Sequence, residues 1–385
     1  WIQPESRPGE GVAFSTLSPS HLLNVPASRM SALAEERSHF SDWLRSRDKN
    51  VDADAFVPRS LYAEYLRDLL ARAMAAPNHA RVERFASRLA RCGRKGAEIV
   101  AELDDGTRLT TPRLVLALGH SLRKQPAAPL PCPGWIEDPW SGWQLPEHAR
   151  RVTLLGTGLT MVDTALTLED RGFAGEILAI SRRGLLPREH LAGGAPAQAH
   201  SLLADTPSEA IHALRERIRS GVDWRTSIDE LRSQSSHLWS CWTDTQRMSF
   251  IRHAIPYWDV HRHRMAPAVS KRLQSMLREG RLTVTRSRRF PSRDSLGPGD
   301  VVIDCRSHHL GAAACNLPLI ESLELEFHAS FAPLSWGVRA DRGQIAPGLW
   351  TLGPPLRWEL GETTAVPEIR AQAASLAAFL TRGIV

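Results

Sequence analysis

The residues with the plainest chemical meaning are Gly156, Thr157 and Gly158, in the stretch LLGTGLTMVD at 154–163. The short apolar run RVTLLG precedes them. The helical pattern LTMVDTALTLEDRG follows, with Gly172 placed just past the expected helix end. Glycines between a strand and a helix allow a tight turn. They also let a pyrophosphate approach the backbone N–H groups of the helix start, which attract anions. Met161 stands where a third glycine is usual and is expected to loosen helix–strand packing without closing the phosphate site. The strand pattern GEILAISRRG completes a βαβ unit. It ends in Ser181-Arg182-Arg183, where a cofactor with a free ribose would meet an acid. Two guanidinium groups suit a 2′-phosphate instead. The unit is therefore expected to hold NADPH in preference to NADH, through Gly156, Thr157, Gly158, Arg182 and Arg183.

A second concentration of chemistry is WDVHRHRMAP at 258–267. His261, Arg262, His263 and Arg264 read either as a substrate- or cofactor-facing cluster or as a helix region held by buried hydrogen bonds. The sequence leaves both open. On the first reading His261, His263 and Arg264 are the catalytic candidates. No HExxH pattern or acid–His spacing points to a metal, and no GxSxG elbow points to a hydrolase. The five cysteines, Cys92, Cys132, Cys241, Cys305 and Cys315, form no CxxC pair and are odd in number. That argues against a disulfide framework or zinc ribbon and for a reducing, cytoplasmic setting. Trp135, Trp140, Trp143, Trp239 and Trp242 are expected in the core.

These residues need positioning elements. The chain has 385 residues, 42% hydrophobic and 23% charged, which is enough for one large or two medium globular domains. Its net charge of +6 comes from arginines scattered among acids, with no long basic block. Nucleic acid is therefore not an expected partner. No apolar run approaches a membrane span, and the N-terminus WIQPESRPGE has no signal-peptide pattern. The stretches SHFSDWLRSR and RSLYAEYLRDLLARAMA predict helices, and residues 205–280 read as mostly helical. EIVAELDDGTRLTTPRLVLALG predicts a hairpin, turning at Asp105-Gly106, and then a buried strand. RLTVTRSRRF, DVVIDCRS and GLWTLGPP read as strands, and TTAVPEIRAQAASLAAFL as a long helix. GVAFSTLSPSHLLNVPASRMSA reads as loops around short extended pieces, and the Pro-rich AAPLPCPGWIEDPW as a crossing between domains.

Taken in order, GEGVAFST, HLLNVPASRMSA, FVPRSLYAEYL, VLALGH, GTGLTMVD, AISRRGLLPREH, PYWDVHRHRMAP and ETTAVPEIRAQA resemble the bacterial FAD/NAD(P)-binding proteins of the YdhS-like group. That group is similar to the N-hydroxylating and flavin-containing monooxygenases and includes a FAD-dependent urate hydroxylase. The resemblance implies an α/β fold of two Rossmann-like, doubly wound nucleotide-binding domains, the NADP domain inserted into the FAD domain. The expected boundaries are 1–130 for the first part of the FAD domain, 131–308 for the insert and 309–385 for the return segment. It places Asn24, Pro26, Gly119, Gly353, Thr363, Thr364 and Ala365 around FAD, the last three at a helix N-terminus facing the flavin ring. Trp1–Pro4 matches the second strand of the FAD unit, with Gln3 where an acid would hold the ribose. The preceding βα piece, roughly 30 residues, is expected to be absent from this chain. Arg306, after the strand VVID, replaces the small residues usual at that crossing. The implied activity is an FAD- and NADPH-dependent oxidoreductase that hydroxylates a small molecule through a flavin hydroperoxide. Two alternatives stay open: a reductase or oxidase without a hydroxylated product, and a degenerate nucleotide-binding sensor or scaffold with an incomplete FAD site.

Overall fold

The computed structural model describes residues 1–4, 9–47, 51–76, 81–119, 134–191, 204–292, 295–306 and 317–382. Both expected domain boundaries, together with His120, Ser307, Cys132 and Cys315, lie outside the described residues.

The runs RVTLLG, GEILAISRRG, RLTVTRSRRF and DVVIDCRS, read as strands, build one parallel sheet, joined by Trp135–Ile136 from the stretch read as a domain crossing. Its strands are β5 (Trp135–Ile136), β6 (Arg151–Leu155), β7 (Glu176–Ser181), β8 (Leu282–Arg286) and β9 (Asp300–Asp304), in the order β5-β9-β6-β7-β8. The order reverses between β6 and β9, so the crevice at the carboxyl ends of these two strands is a topological switch point, where ligands of such sheets bind. The helix Leu159–Asp170 connects β6 to β7, and the helix Pro267–Arg278 leads into β8. They pack together over the sheet. Met161, Val162, Ala165 and Leu168 of the first meet Val269, Leu273 and Met276 of the second in one core with Val152, Leu154, Ile177 and Ile303. Gly172, at φ +71°, ends the first helix as expected. Met161 is wholly buried in this core, so it fills the helix–strand gap rather than loosening it.

Earlier in the chain, β1 (Leu89–Lys95), β2 (Glu98–Leu103) and β3 (Arg108–Thr111) form an antiparallel meander, turning at Gly106 between β2 and β3. β4 (Leu114–Leu116), β10 (Gln344–Ala346) and β11 (Leu349–Thr351) form a second small sheet, with β11 antiparallel to β10 and parallel to β4. β4 was expected to be buried; Leu116 is, whereas Val115, on the opposite face, is exposed. Trp1 to Gln3 runs parallel to Glu83 to Phe85: Gln3 N–H donates to Phe85 O and Phe85 N–H to Trp1 O. The stretch 11–32 departs from the reading of extended pieces by containing the short helix Gly11–Phe14 and the 3₁₀ turn Ala27–Arg29.

Six helices span 207–278. Two open with reciprocal capping boxes, Thr206 with Glu209 and Thr243 with Gln246. Trp143, Trp239 and Trp242 are buried as expected, while Trp135 and Trp140 are half-buried. Trp239 stacks on Trp336 at 5.7 Å and its Nε1–H donates to Trp358 O, which joins the helical region to residues 332–361. No helix among the described residues is long and apolar enough to cross a membrane.

Candidate functional site

At the switch point Gly156 takes φ +101°, and a Cβ there would lie 3.1 Å from Cys305 O. The close crossing of β6 and β9 therefore requires this glycine, independently of any ligand. Thr157 is buried, and its hydroxyl donates to Leu185 O at 2.6 Å and lies 2.8 Å from Ser181 Oγ. Gly184 N–H donates to the same Ser181 hydroxyl. Thr157 is thus occupied in fastening the glycine turn to the loop after β7. Gly158 differs from both. It is the N-cap of the helix Leu159–Asp170, no side chain caps that helix, and an added Cβ would meet nothing within 4 Å. Open space in front of uncapped helix N–H groups is what an anion needs.

Arg182 is exposed at the end of β7. Arg183 is half-buried, donates to Arg252 O at 3.3 Å and lies 5.8 Å from the Tyr257 ring. Arg306 folds back on Asp304, its Nε–H donating to Oδ1 at 2.8 Å, with the guanidinium over Phe290.

The residues attributed to the flavin come from distant parts of the chain. Gly119 and Gly353 follow the parallel strands β4 and β11, both at positive φ. Gly353 N–H donates to Gln372 Oε1 at 2.7 Å, which fixes β11 to the helix Val366–Thr381. Ala365 is that helix's N-cap and carries no capping bond. Arg370 of the same helix donates to Ser31 O at 2.8 Å, and Val366 packs against the core that holds Leu23, Ala27 and Met30. The stretch 23–31 thus packs against that helix through Ser31 and the core of Leu23, Ala27 and Met30. Asn24 O accepts from His190 Nε2 at 2.8 Å. Thr363 is wholly buried, yet its hydroxyl has no hydrogen-bond partner among the described residues. A buried, unsatisfied hydroxyl costs about 1–3 kcal/mol, so its place beside an uncapped helix start fits a site that a polar ring edge completes. Gln3 is the outlying member, its backbone engaged with Phe85. The structure therefore places Gly353, Thr363, Thr364 and Ala365 at one helix start, while the hydrogen bond of Asn24 is to His190.

The 261–264 cluster divides. His261 Nδ1 donates to Tyr257 O at 2.7 Å, and the ring meets Trp224 edge-on. Arg264 is buried and bonded to Asp229 at 2.9 Å and to His261 O. His263 stands 3.9 Å from Asp259. Arg262, the least emphasised of the four in the sequence, is the one that reaches the flavin-side segment: it is buried 3.6 Å from Glu362 and 3.9 Å from Glu368. Trp258 Nε1–H donates to Glu362 as well. A cavity of 660 Å³ adjoins the loop after β7, lined among others by Leu185, Leu186, Glu189, Trp224, His261 and Leu273. Among the described residues no group of three or more His, Cys, Asp or Glu side chains is placed to hold a metal.

Sequence reasoning missed what orients the two nucleotide regions. Asp163, one turn into the helix after Gly158, pairs with Arg59 at 2.8 Å, both nearly buried. Arg59 opens the helix Arg59–Ala75 and donates to Leu22 O. His21 Nε2 sits 2.9 Å from both Asp163 O and Thr167 Oγ1. Both partners are visible in the quoted stretches FVPRSLYAEYL and GTGLTMVD. A polar residue at a core-facing helix position was the only signal for the pairing.

Residues 2–121 match the sequence profile of the FAD-NAD(P)-binding family. The whole chain superposes on the ornithine N-hydroxylase KtzI of Kutzneria sp. 744, a structure with reduced FAD, NADP⁺ and L-ornithine (TM-score 0.58, 12% identity, covering 100% of this chain and 92% of that one). It is similarly related to the L-lysine 6-monooxygenase of Pseudomonas syringae (0.57, 15%, 100% and 91%) and to a flavin monooxygenase of Stenotrophomonas maltophilia (0.52, 16%, 100% and 91%). No curated protein matches the sequence. The fold is that of the two-domain flavin and N-hydroxylating monooxygenases.

Proposed function

We propose that the protein is an FAD- and NADPH-dependent oxidoreductase of the monooxygenase type, acting on a small molecule. One observation carries the reading: the buried hydroxyl of Thr363, without a partner among the described residues, beside the start of the helix Val366–Thr381, which no side chain caps. The open N-cap at Gly158 supports a second nucleotide at the sheet's switch point. Both features fit the cofactors of the solved structures that share this fold.

On this reading the bound flavin supplies hydride acceptance and oxygen transfer, and NADPH supplies the hydride. The chain's residues bind and orient. The helix start at Ala365 favours negative charge on the adjoining ring edge. Gly158 admits a pyrophosphate, with Arg182 beside it for the 2′-phosphate. The pair Arg59–Asp163 holds the two nucleotide regions in register. Arg262, Glu362 and Glu368 close the protein behind the flavin-side segment and exclude water. We assign no catalytic role to Arg264, whose charge is committed to Asp229. The division of the chain at 130/131 and 308/309 remains our proposed domain scheme. The free cysteines Cys92, Cys241 and Cys305 support our reading of a reducing, cytoplasmic setting.

The test is the visible spectrum of the purified chain after mixing with FAD and dialysis, followed by anaerobic NADPH. Retained flavin that bleaches supports the proposal. Retained flavin that does not bleach supports a nucleotide-binding protein without turnover, a reading favoured by Arg306 at the β9 crossing. Absence of retained flavin refutes the flavoprotein reading for this chain. T363V is expected to weaken flavin retention by about tenfold without lowering the stability of the flavin-free protein, because it removes a hydroxyl that has no partner there.

A further inference from the structure

The carboxyl edge of the inserted sheet carries more unpaired positive charge than its sequence motif reveals. β7 and β8 are parallel and in register, with Ser181 opposite Arg286. The pairing continues past the strand ends, since Ser287 N–H donates to Ser181 O at 2.9 Å. Arg182 and Arg183 therefore leave the sheet beside Arg286, Arg288 and Arg289, although about a hundred residues separate the two groups in the chain. Gly184 folds over the same place: its missing Cβ would lie 3.4 Å from Arg286 Cβ.

Arg182, Arg286, Arg288 and Arg289 are all exposed. None of them makes a salt bridge among the described residues, whereas most other arginines of the inserted sheet do. Arg151 serves Glu176 at the opposite edge, Arg281 serves Glu169 and Glu279, and Arg306 takes Asp304, the acid at this end of β9. Arg183, by contrast, is committed to Arg252 O and the Tyr257 ring. Ser181, whose hydroxyl joins Thr157 and Gly184, connects this edge directly to the glycine turn. Like charges so gathered, without carboxylates to offset them, repel one another unless a dianion arrives.

We propose that Arg286, on β8, acts with Arg182 as the specificity-determining pair for a phosphomonoester at the adenosine end of the dinucleotide, with Arg288 adding to the field. The proposal rests on the nucleotide reading given above and deepens it. A phosphomonoester carries a charge of about −1.5 to −2 near neutral pH and offers three acceptor oxygens. Guanidinium groups from two neighbouring strands, about 5 Å apart at the backbone, can approach it from two sides with paired, charge-assisted hydrogen bonds. Arg183 takes no direct part.

The experiment compares the affinities of 2′,5′-ADP and 5′-AMP for the full chain by titration calorimetry, in the wild type and in R286E, R286Q and R183A. The wild type is expected to bind 2′,5′-ADP about tenfold to hundredfold more tightly than 5′-AMP. R286Q and R286E are expected to remove most of that ratio while leaving 5′-AMP affinity unchanged. R183A is expected to preserve it. The ratio should fall as salt rises, because exposed charges create it. A wild-type preference that survives both Arg286 substitutions overturns the role of Arg286 and leaves the nucleotide reading standing. Equal wild-type binding of the two ligands also overturns it. Binding of neither ligand, nor of NADP⁺ or NAD⁺, overturns the nucleotide reading itself. Arg286 lies exposed at a strand end, so its variants are expected to fold, and their melting curves check this.

Discussion

Replacing Asp163 with Ala strands Arg59 opposite an apolar hole. The two groups are 2.8 Å apart, with 6% and 13% of their side-chain surface exposed, so neither is well served by water. Removing one partner of such a pair costs about 3–5 kcal/mol, because the surviving charge stays desolvated. Arg59 keeps its bond to Leu22 O and its place 5.9 Å from the Trp140 ring, which points to the lower end, about 3 kcal/mol. At about 2–4 °C per kcal/mol for a unit of 150–250 residues, the melting transition should fall by about 6–12 °C. The bond from His21 Nε2 to Asp163 O uses the backbone and survives the substitution. Scanning calorimetry of D163A, R59M and the double variant R59M/D163L separates the causes. The double variant, with an apolar pair in place of the ion pair, should recover to within about 1 kcal/mol of the wild type. If it melts as low as D163A, the loss comes from packing of the helix Leu159–Asp170 and the stranded-charge argument is refuted. A cost below about 1 kcal/mol in D163A would mean that Arg59 swings out to solvent and that the latch is weak.

The two glycines of the turn should respond in opposite ways. G156A forces φ +101° on a side chain 3.1 Å from Cys305 O and should cost about 1–3 kcal/mol of stability. G158A meets open space at φ −84° and should melt like the wild type while losing dinucleotide affinity, which calorimetric titration with NADP⁺ reads. His190 is pushed down to about 4, first by burial and then by the charge of Arg264. Its folded value lies below the unfolded value of about 6.5, so the unfolded chain takes up the proton first as the pH falls. Its contribution is full above about pH 6.5 and is lost progressively towards pH 4, by about 2–3 kcal/mol at most. H190Q should flatten that part of the stability–pH profile, and an unchanged slope in urea denaturation would contradict the assignment.

Much of the inserted domain was legible in the sequence because its signals are local. A strand, a glycine turn, an amphipathic helix and a stop at Gly172 depend on neighbours a few residues away, and the βαβ reading of 151–181 needs nothing more distant. The capped helices of 207–253 are legible for the same reason. The stretch 11–32 was less so: Phe14 of its short helix and Ala27 of its 3₁₀ turn pack, with Leu23 and Met30, against the aromatic core of Phe40, Tyr62 and Tyr65, which pattern alone does not announce.

The candidate site divides along the same line. The residue types at 156–158, 182–183 and 363–365 were fixed by sequence, and so was the chemistry they suit. Which of them are free to perform it was decided by tertiary contacts. Gly156 is demanded by the β9 crossing, Thr157 is used by Leu185, and Arg183 by Arg252, while Gly158, Arg182 and the Thr363 hydroxyl are left open. The neighbours Arg286 and Arg59 come from the far side of a strand pairing and a helix packing. Such proximity arises from burying apolar faces over long chain separations, and no spacing within the sequence encodes it directly.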